Sequence, residues 1–158
     1  MKTLILYTTK YGCAEKAAAI LKTKLAGEVS MANIKKERIP ELEQYDAIVL
    51  GGSIYMGNIQ KEMKEYAAAN LSTLLKKKVG LFICAGSPDL NAREKELEAS
   101  FPSELFNHAA GKEVLGGEIT YEKLSFLERT IMKAVKGDKN STSDLSQEKI
   151  EELAKAIS

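Results

Sequence analysis

The chain has 158 residues, 44% hydrophobic and 28% charged, with a formal net charge of +1 at pH 7. That length fits one domain over residues 1–158 with a substantial core, and the near-neutral balance offers nucleic acid or a membrane no global attraction. One histidine, His108, and two cysteines, Cys13 and Cys84, are too few for a Cys/His zinc site or a disulfide framework. A reducing cytoplasm is therefore the expected compartment.

In chain order, Leu4–Thr8 reads as a buried strand whose apolar run is too short for a signal peptide. Ala14, Ala17, Ala18, Leu21 and Leu25 then recur at helical spacing up to Gly27. Val29–Ile34 is a weaker strand, and Lys35–Tyr45, with Pro40, leaves room for a turn or two of helix. Asp46–Gly51 is a second buried strand, stopped by Gly51-Gly52; Ile59, Met63, Tyr66, Ala67, Leu71 and Leu74 form the next helical stripe. Val79–Cys84 is a further buried run and Val114–Ile119 the last strand. Ser125-x-x-Glu128 resembles a capping box opening a helix, Gly137–Ser143 reads as a polar loop, and a final helix starts near Ser146 with Ile150, Leu153, Ala154 and Ile157 inward. No apolar stretch approaches the length of a bilayer-spanning helix.

Continuous apolar strands alternating with amphipathic helices require a parallel sheet covered on both faces. The expected fold is thus α/β, a doubly wound five-stranded parallel sheet with helices on both faces. Ligands of such sheets lie outside the carboxyl ends of the strands, where strand order reverses. The loops that matter are therefore Thr8–Ala14, Gly51–Asn58, Ala85–Asn91 and Thr120–Lys123.

The first loop, Thr8-Thr9-Lys10-Tyr11-Gly12-Cys13-Ala14, joins a strand directly to a helix. Unpaired N–H groups and the helix dipole favour an anion there, the Thr8 and Thr9 hydroxyls can donate to phosphate oxygens, and Gly12 lets the backbone curl close. An ordinary strand–helix turn with a threonine cap explains the same residues. Neither G-x-x-x-x-G-K-[ST] nor G-x-G-x-x-G occurs, which counts against an NTPase and a dinucleotide-binding enzyme. In the second loop, Ser53-Ile54-Tyr55-Met56-Gly57-Asn58 suits the wall of a flat, electron-poor ring: Tyr55 can stack, Met56 can pack, and a glycine-containing turn can flip. Tyr55 and Met56 capping the sheet is the plainer alternative. The third loop offers Ala85, Gly86, Ser87 and Asp89, which turn chemistry alone also explains. Cys13 sits where a thiolate is favoured, with no histidine or second cysteine nearby in sequence. A C-x5-R-[ST] phosphatase signature fails at both cysteines, where Ala19 and Leu90 replace arginine, and His108 looks like a helix-end residue.

Thr8-Thr9-x-x-Gly12 after a first buried strand resembles the phosphate loop of flavodoxins, with Ala14 where that pattern ends in a hydroxyl. The stretches MKTLILYTTKYG, YDAIVLGGSIYMGNIQKEMKEYA and GGEITYEKLSFLERTIMKAVKG together resemble the flavodoxin-domain family that includes menaquinone-dependent protoporphyrinogen oxidase. Ser87–Gly111 matches that branch least. The resemblance implies a flavodoxin-like fold, FMN as cofactor held by Thr8–Ala14, Ser53–Asn58 and Ala85–Asp89, and electron transfer to a quinone or a partner protein. The flavin would carry the redox chemistry, so no side chain is assigned as general acid or base. Two other readings stay open: a passive electron-transfer domain, and a flavodoxin-shaped module that has lost FMN. Lys123, Arg129, Lys133, Lys136 and Lys139, beside Phe126, Leu127 and Met132, make the late segment basic, which allows weak membrane-surface contact or a plain solvated face.

Overall fold

The computed structural model describes residues 1–85, 89–116, 118–119, 142–143 and 145–158. Five parallel strands, β1 (Lys2–Tyr7), β2 (Glu28–Asn33), β3 (Ala47–Ser53), β4 (Lys78–Cys84) and β5 (Gly111–Val114), form one sheet in the order β2-β1-β3-β4-β5. The chain steps outward from β1 to β2, then returns past β1 to β3, so strand order reverses at the β1/β3 boundary. The expected doubly wound sheet is the one observed.

Period-2 alternation sorts the core onto two faces. Leu4, Leu6, Ile48, Leu50, Leu81 and Ile83 point to one side. They meet Met63 and Ala67 of α2 (Lys61–Ala69), Leu74 of α3 (Leu71–Leu74), Leu97 of α4 (Leu90–Ser100) and Leu105 of α5 (Ser103–His108). Ile5, Tyr7, Val49 and Phe82 point to the other. There they meet Ala14, Ala17, Ala18 and Leu21 of α1 (Cys13–Lys24), and Ile150, Leu153 and Ile157 of α6 (Gln147–Ile157). Three of these α1 positions are alanines, fully buried against the sheet. Ser146 caps α6, its side chain accepting from the Lys149 N–H, while its own N–H donates to the Leu115 carbonyl at 2.9 Å.

Three local expectations need correction. Gly51 and Gly52 do not stop β3, which continues through both to Ser53; a Cβ on Gly51 would lie 2.0 Å from the Phe82 ring, so the glycine makes room for that ring. The single helical stripe from Ile59 to Leu74 is two helices, split at Asn70 (φ −110°, ψ 17°), whose Nδ2 also donates to the Tyr66 carbonyl at 3.0 Å. The last sheet strand is Gly111–Val114, earlier than Val114–Ile119; Glu118–Ile119 instead pairs antiparallel with Thr142–Ser143, the end of the expected polar loop. Lys35–Tyr45 holds one 3-10 turn, Leu42–Gln44, as its length and Pro40 led us to expect. The helix expected after Ser125, its basic residues and the loop Thr120–Lys123 lie outside the described residues.

Candidate functional site

The loop after β1 leaves the sheet at the point where strand order reverses. Thr8 is fully buried, its N–H donating to the Gly51 carbonyl at 3.0 Å. Gly12 has φ +94°, a left-handed conformation that turns the chain into α1 at no steric cost. A Cβ built on it would meet nothing within 4 Å, so the backbone there is open to an approaching group. Thr9 Oγ1 accepts from the Gly12 N–H at 2.9 Å and lies 3.4 Å from Ser53 Oγ. The threonine thus braces its own loop and reaches the loop after β3.

Gln60, the residue before α2, ties the two loops together. Its Oε1 accepts from Thr8 Oγ1 at 2.8 Å and from the Ser53 N–H at 3.2 Å. Sequence reasoning missed this role, because a single glutamine before a helix carries no local signal. It also missed Glu15, whose carboxylate accepts from the Tyr7 hydroxyl at 3.3 Å. Burial, reinforced by Glu15 and Glu37, raises the Tyr7 phenol to about 12.

Tyr55, Met56, Gly57 and Asn58 form a two-residue hairpin. Tyr55 and Asn58 exchange N–H···O bonds of 2.9 and 3.1 Å, and Met56 and Gly57 have φ +52° and +83°. Two positive φ values define a type I′ turn. Methionine is a costly choice for its first position, yet the Met56 side chain is 66% exposed. The Tyr55 ring stands edge-on to Tyr11, centroids 6.2 Å apart at 72°, and the Lys10 ammonium lies 4.0 Å from its centroid. Lys10, Tyr11 and Tyr55 therefore form one aromatic–cation contact between the first and second loops.

The remaining expected site residues divide. Cys13 and Ala14 turn their side chains into the α1 core, so only their backbone can serve a ligand. Ile54 packs on the opposite core face, and its N–H donates to the Cys84 carbonyl at 2.8 Å. Ala85 is buried and donates to the Gly116 carbonyl at 2.9 Å. Asp89 caps α4, accepting from the Asn91 N–H at 2.9 Å. Gly86 and Ser87 lie outside the described residues.

A parallel α/β sheet in 2-1-3-4-5 order, with a hydroxyl- and glycine-bearing loop at its switch point, defines the flavodoxin class of folds. The chain belongs to the flavodoxin domain family, whose model matches residues 4–146. It is 31% identical over 77 residues to protoporphyrinogen IX dehydrogenase [quinone] of Escherichia coli K12. That match covers 47% of this chain and 42% of the relative, so it spans less than half of either. Among solved structures, it is similar to a short-chain flavodoxin associated with a non-canonical PDU bacterial microcompartment, at 15% identity and TM-score 0.63 over 99% of this chain and 96% of that one. A flavodoxin, WrbA-like protein from Agrobacterium tumefaciens gives 19% and 0.58 over 99% and 96%. A Fusobacterium nucleatum flavodoxin bound to flavin mononucleotide gives 16% and 0.53 over the same shares, 99% and 96%. At these identities the structures speak for the fold alone.

Proposed function

We propose that this chain binds FMN at the carboxyl edge of its sheet and works as an oxidoreductase that passes electrons to a quinone or a protein acceptor. The observation that carries the reading is the convergence of the first two loops at the switch point. Thr9 meets Ser53, Gln60 bridges Thr8 and Ser53, and Tyr11 and Lys10 meet Tyr55. The open backbone at Gly12 fits a phosphate, which would take N–H groups from the start of α1 and draw on its dipole. Tyr55 offers an aromatic surface to a flat ring, and the exposed Met56 thioether packs beside it. FMN, when bound, supplies reversible electron or hydride transfer.

The protein's own part is to hold and tune. The peptide between Met56 and Gly57 rotates with compensating changes in two dihedrals, so this turn can offer a ring edge either a carbonyl or an N–H. The Lys10 cation, kept at Tyr55, favours added negative charge nearby and hence the reduced cofactor. Similarity to the quinone-linked dehydrogenase supports a quinone as acceptor and a porphyrinogen as donor. No helix among the described residues is long and apolar enough to cross a membrane.

Purification tests the cofactor directly. The protein is expected to carry a flavin absorption spectrum and to release FMN, identified by mass, on denaturation. Tyr55→Ala is expected to weaken FMN binding about fivefold, the equivalent of about 1 kcal/mol of ring contact. A colourless protein that takes up no added FMN overturns the proposal. Reoxidation of the reduced protein by a soluble naphthoquinone, set against a protein acceptor, then separates a quinone-directed enzyme from a carrier.

A further inference from the structure

The residue before a helix commonly turns its side chain onto that helix's first N–H groups. Gln60, the residue before α2, makes no such bond. Its side chain runs back to the two loops instead. Thr8 is fully buried and Ser53 only 7% exposed, and both donate to one atom, Gln60 Oε1, at 2.8 and 3.2 Å. Gly52 leaves the space for this approach: a Cβ there would lie 2.6 Å from Ile59 Cδ1 and 2.9 Å from Thr8 Oγ1.

Two donors on one oxygen fix which way the amide faces. A carboxamide oxygen accepts two hydrogen bonds, and turning the group over would set an NH2 against the Ser53 N–H. The oxygen therefore faces the loops, and the NH2, on the other arm of the planar amide, faces away from them. Gln60 also lines an open cleft of about 690 Å³, bordered by Thr9, Lys10, Tyr11 and Gly12. Of its amide, only the NH2 is left to serve a ligand there; Nε2 is accessible and meets no acceptor among the described residues. Two N–H donors are thus held beside the first loop by an oxygen whose release would leave the buried Thr8 and Ser53 donors unpaired.

We infer that Gln60 is a cofactor-binding residue with two separate tasks: its oxygen braces the two loops, and its NH2 donates to an oxygen of the ribityl phosphate arm of FMN. A glutamate can perform the first task, since a carboxylate accepts from the same two donors. It fails the second, because it presents an oxygen where the ligand's oxygen needs a donor. A side chain that only braced would be replaceable by glutamate; one that also binds is not. The assignment rests on the FMN reading for the identity of the ligand.

The test separates brace from donor in the full chain. Gln60→Glu keeps the acceptor and removes the donor; Gln60→Met removes both. FMN and riboflavin, which share the ribityl chain and differ in the phosphate, are titrated into wild type and both variants, and thermal unfolding of the flavin-free proteins reports the brace. Gln60→Glu is expected to unfold within about 2 °C of wild type yet to lose about tenfold or more in FMN affinity, whereas Gln60→Met loses stability as well. Loss confined to FMN assigns a phosphate oxygen; a similar loss for riboflavin assigns a ribityl hydroxyl. The side-chain NH2 signals of Gln60 in nitrogen-15-labelled wild type give a readout that needs no variant to fold and involves no change of charge. They are expected to shift, and to exchange more slowly with water, when FMN binds. Wild type that binds FMN with these signals unmoved overturns the assignment and leaves the FMN reading standing. A folded Gln60→Glu with FMN affinity within about twofold of wild type does the same, since Gln60 is then a brace alone. Wild type that takes up no FMN overturns both.

Discussion

Tyr7 shows how one residue couples the core to the site. Its ring is buried under α1, and its hydroxyl donates to Glu15 in the first turn of that helix. Burial raises the phenol to about 12, with Glu15 and Glu37 opposing a second negative charge. Tyr66 is raised to about 12 as well, chiefly by burial and then by Glu43. For both, the folded state keeps a proton that the unfolded chain releases near pH 10, so folding is penalised as pH climbs from 10 to 12. Stability is therefore expected to hold up to about pH 9 and to fall between about pH 10 and 12. Urea unfolding at stepped pH checks this; Tyr7→Phe is expected to make the fall shallower, leaving the part owed to Tyr66. An unchanged slope in that variant would mean Tyr7 does not titrate with folding.

At the scale of an element, the 55–58 hairpin departs from what its geometry prefers. A type I′ turn takes Asn-Gly most readily, yet here the pair is Met56-Gly57. A left-handed methionine costs roughly 1 kcal/mol, and an exposed thioether returns none of that to folding. Natural sequences keep such local conflicts where a site uses them. Met56→Asn is thus expected to raise stability by about 0.5–1 kcal/mol in urea unfolding while weakening FMN binding. Stability that drops in this variant would mean the methionine packs in the folded state after all. The first loop explains why α1 can start where it does. Thr9 and the left-handed Gly12 form its entry, and the side chains that follow, Cys13 and Ala14, serve the core.

Across the whole molecule, stability depends on two helical layers pressed onto one sheet. In the layer of α1 and α6, Leu153 is fully buried and lies over strand glycines: a Cβ on Gly111 would sit 2.8 Å from its Cδ1, and one on Gly80 3.3 Å. Leu153→Ala removes a side chain from a contact with no spare volume, so a loss of about 2–5 kcal/mol is expected in chemical unfolding. A loss well under about 1 kcal/mol would show that α6 is peripheral to the cooperative core.

By itself the sequence determined the class of fold, because period-2 and period-3.6 burial are written locally. The alternating pattern places Leu4 and Leu6 on one face, Ile5 and Tyr7 on the other, and Ile150, Leu153 and Ile157 on one side of the last helix. Thr8, Thr9 and Gly12 were legible for the same reason, since a strand, a short hydroxyl- and glycine-bearing loop and a helix lie consecutively in the chain. Gln60 was not. It sits in an ordinary polar turn, and what it does depends on which loops the fold brings beside it. Tertiary structure alone decided that β2 lies outside β1 and β3 inside it, because strand order is settled by pairing between residues far apart in sequence. That pairing of distant strands turns an ordinary polar turn into a brace between the first two loops.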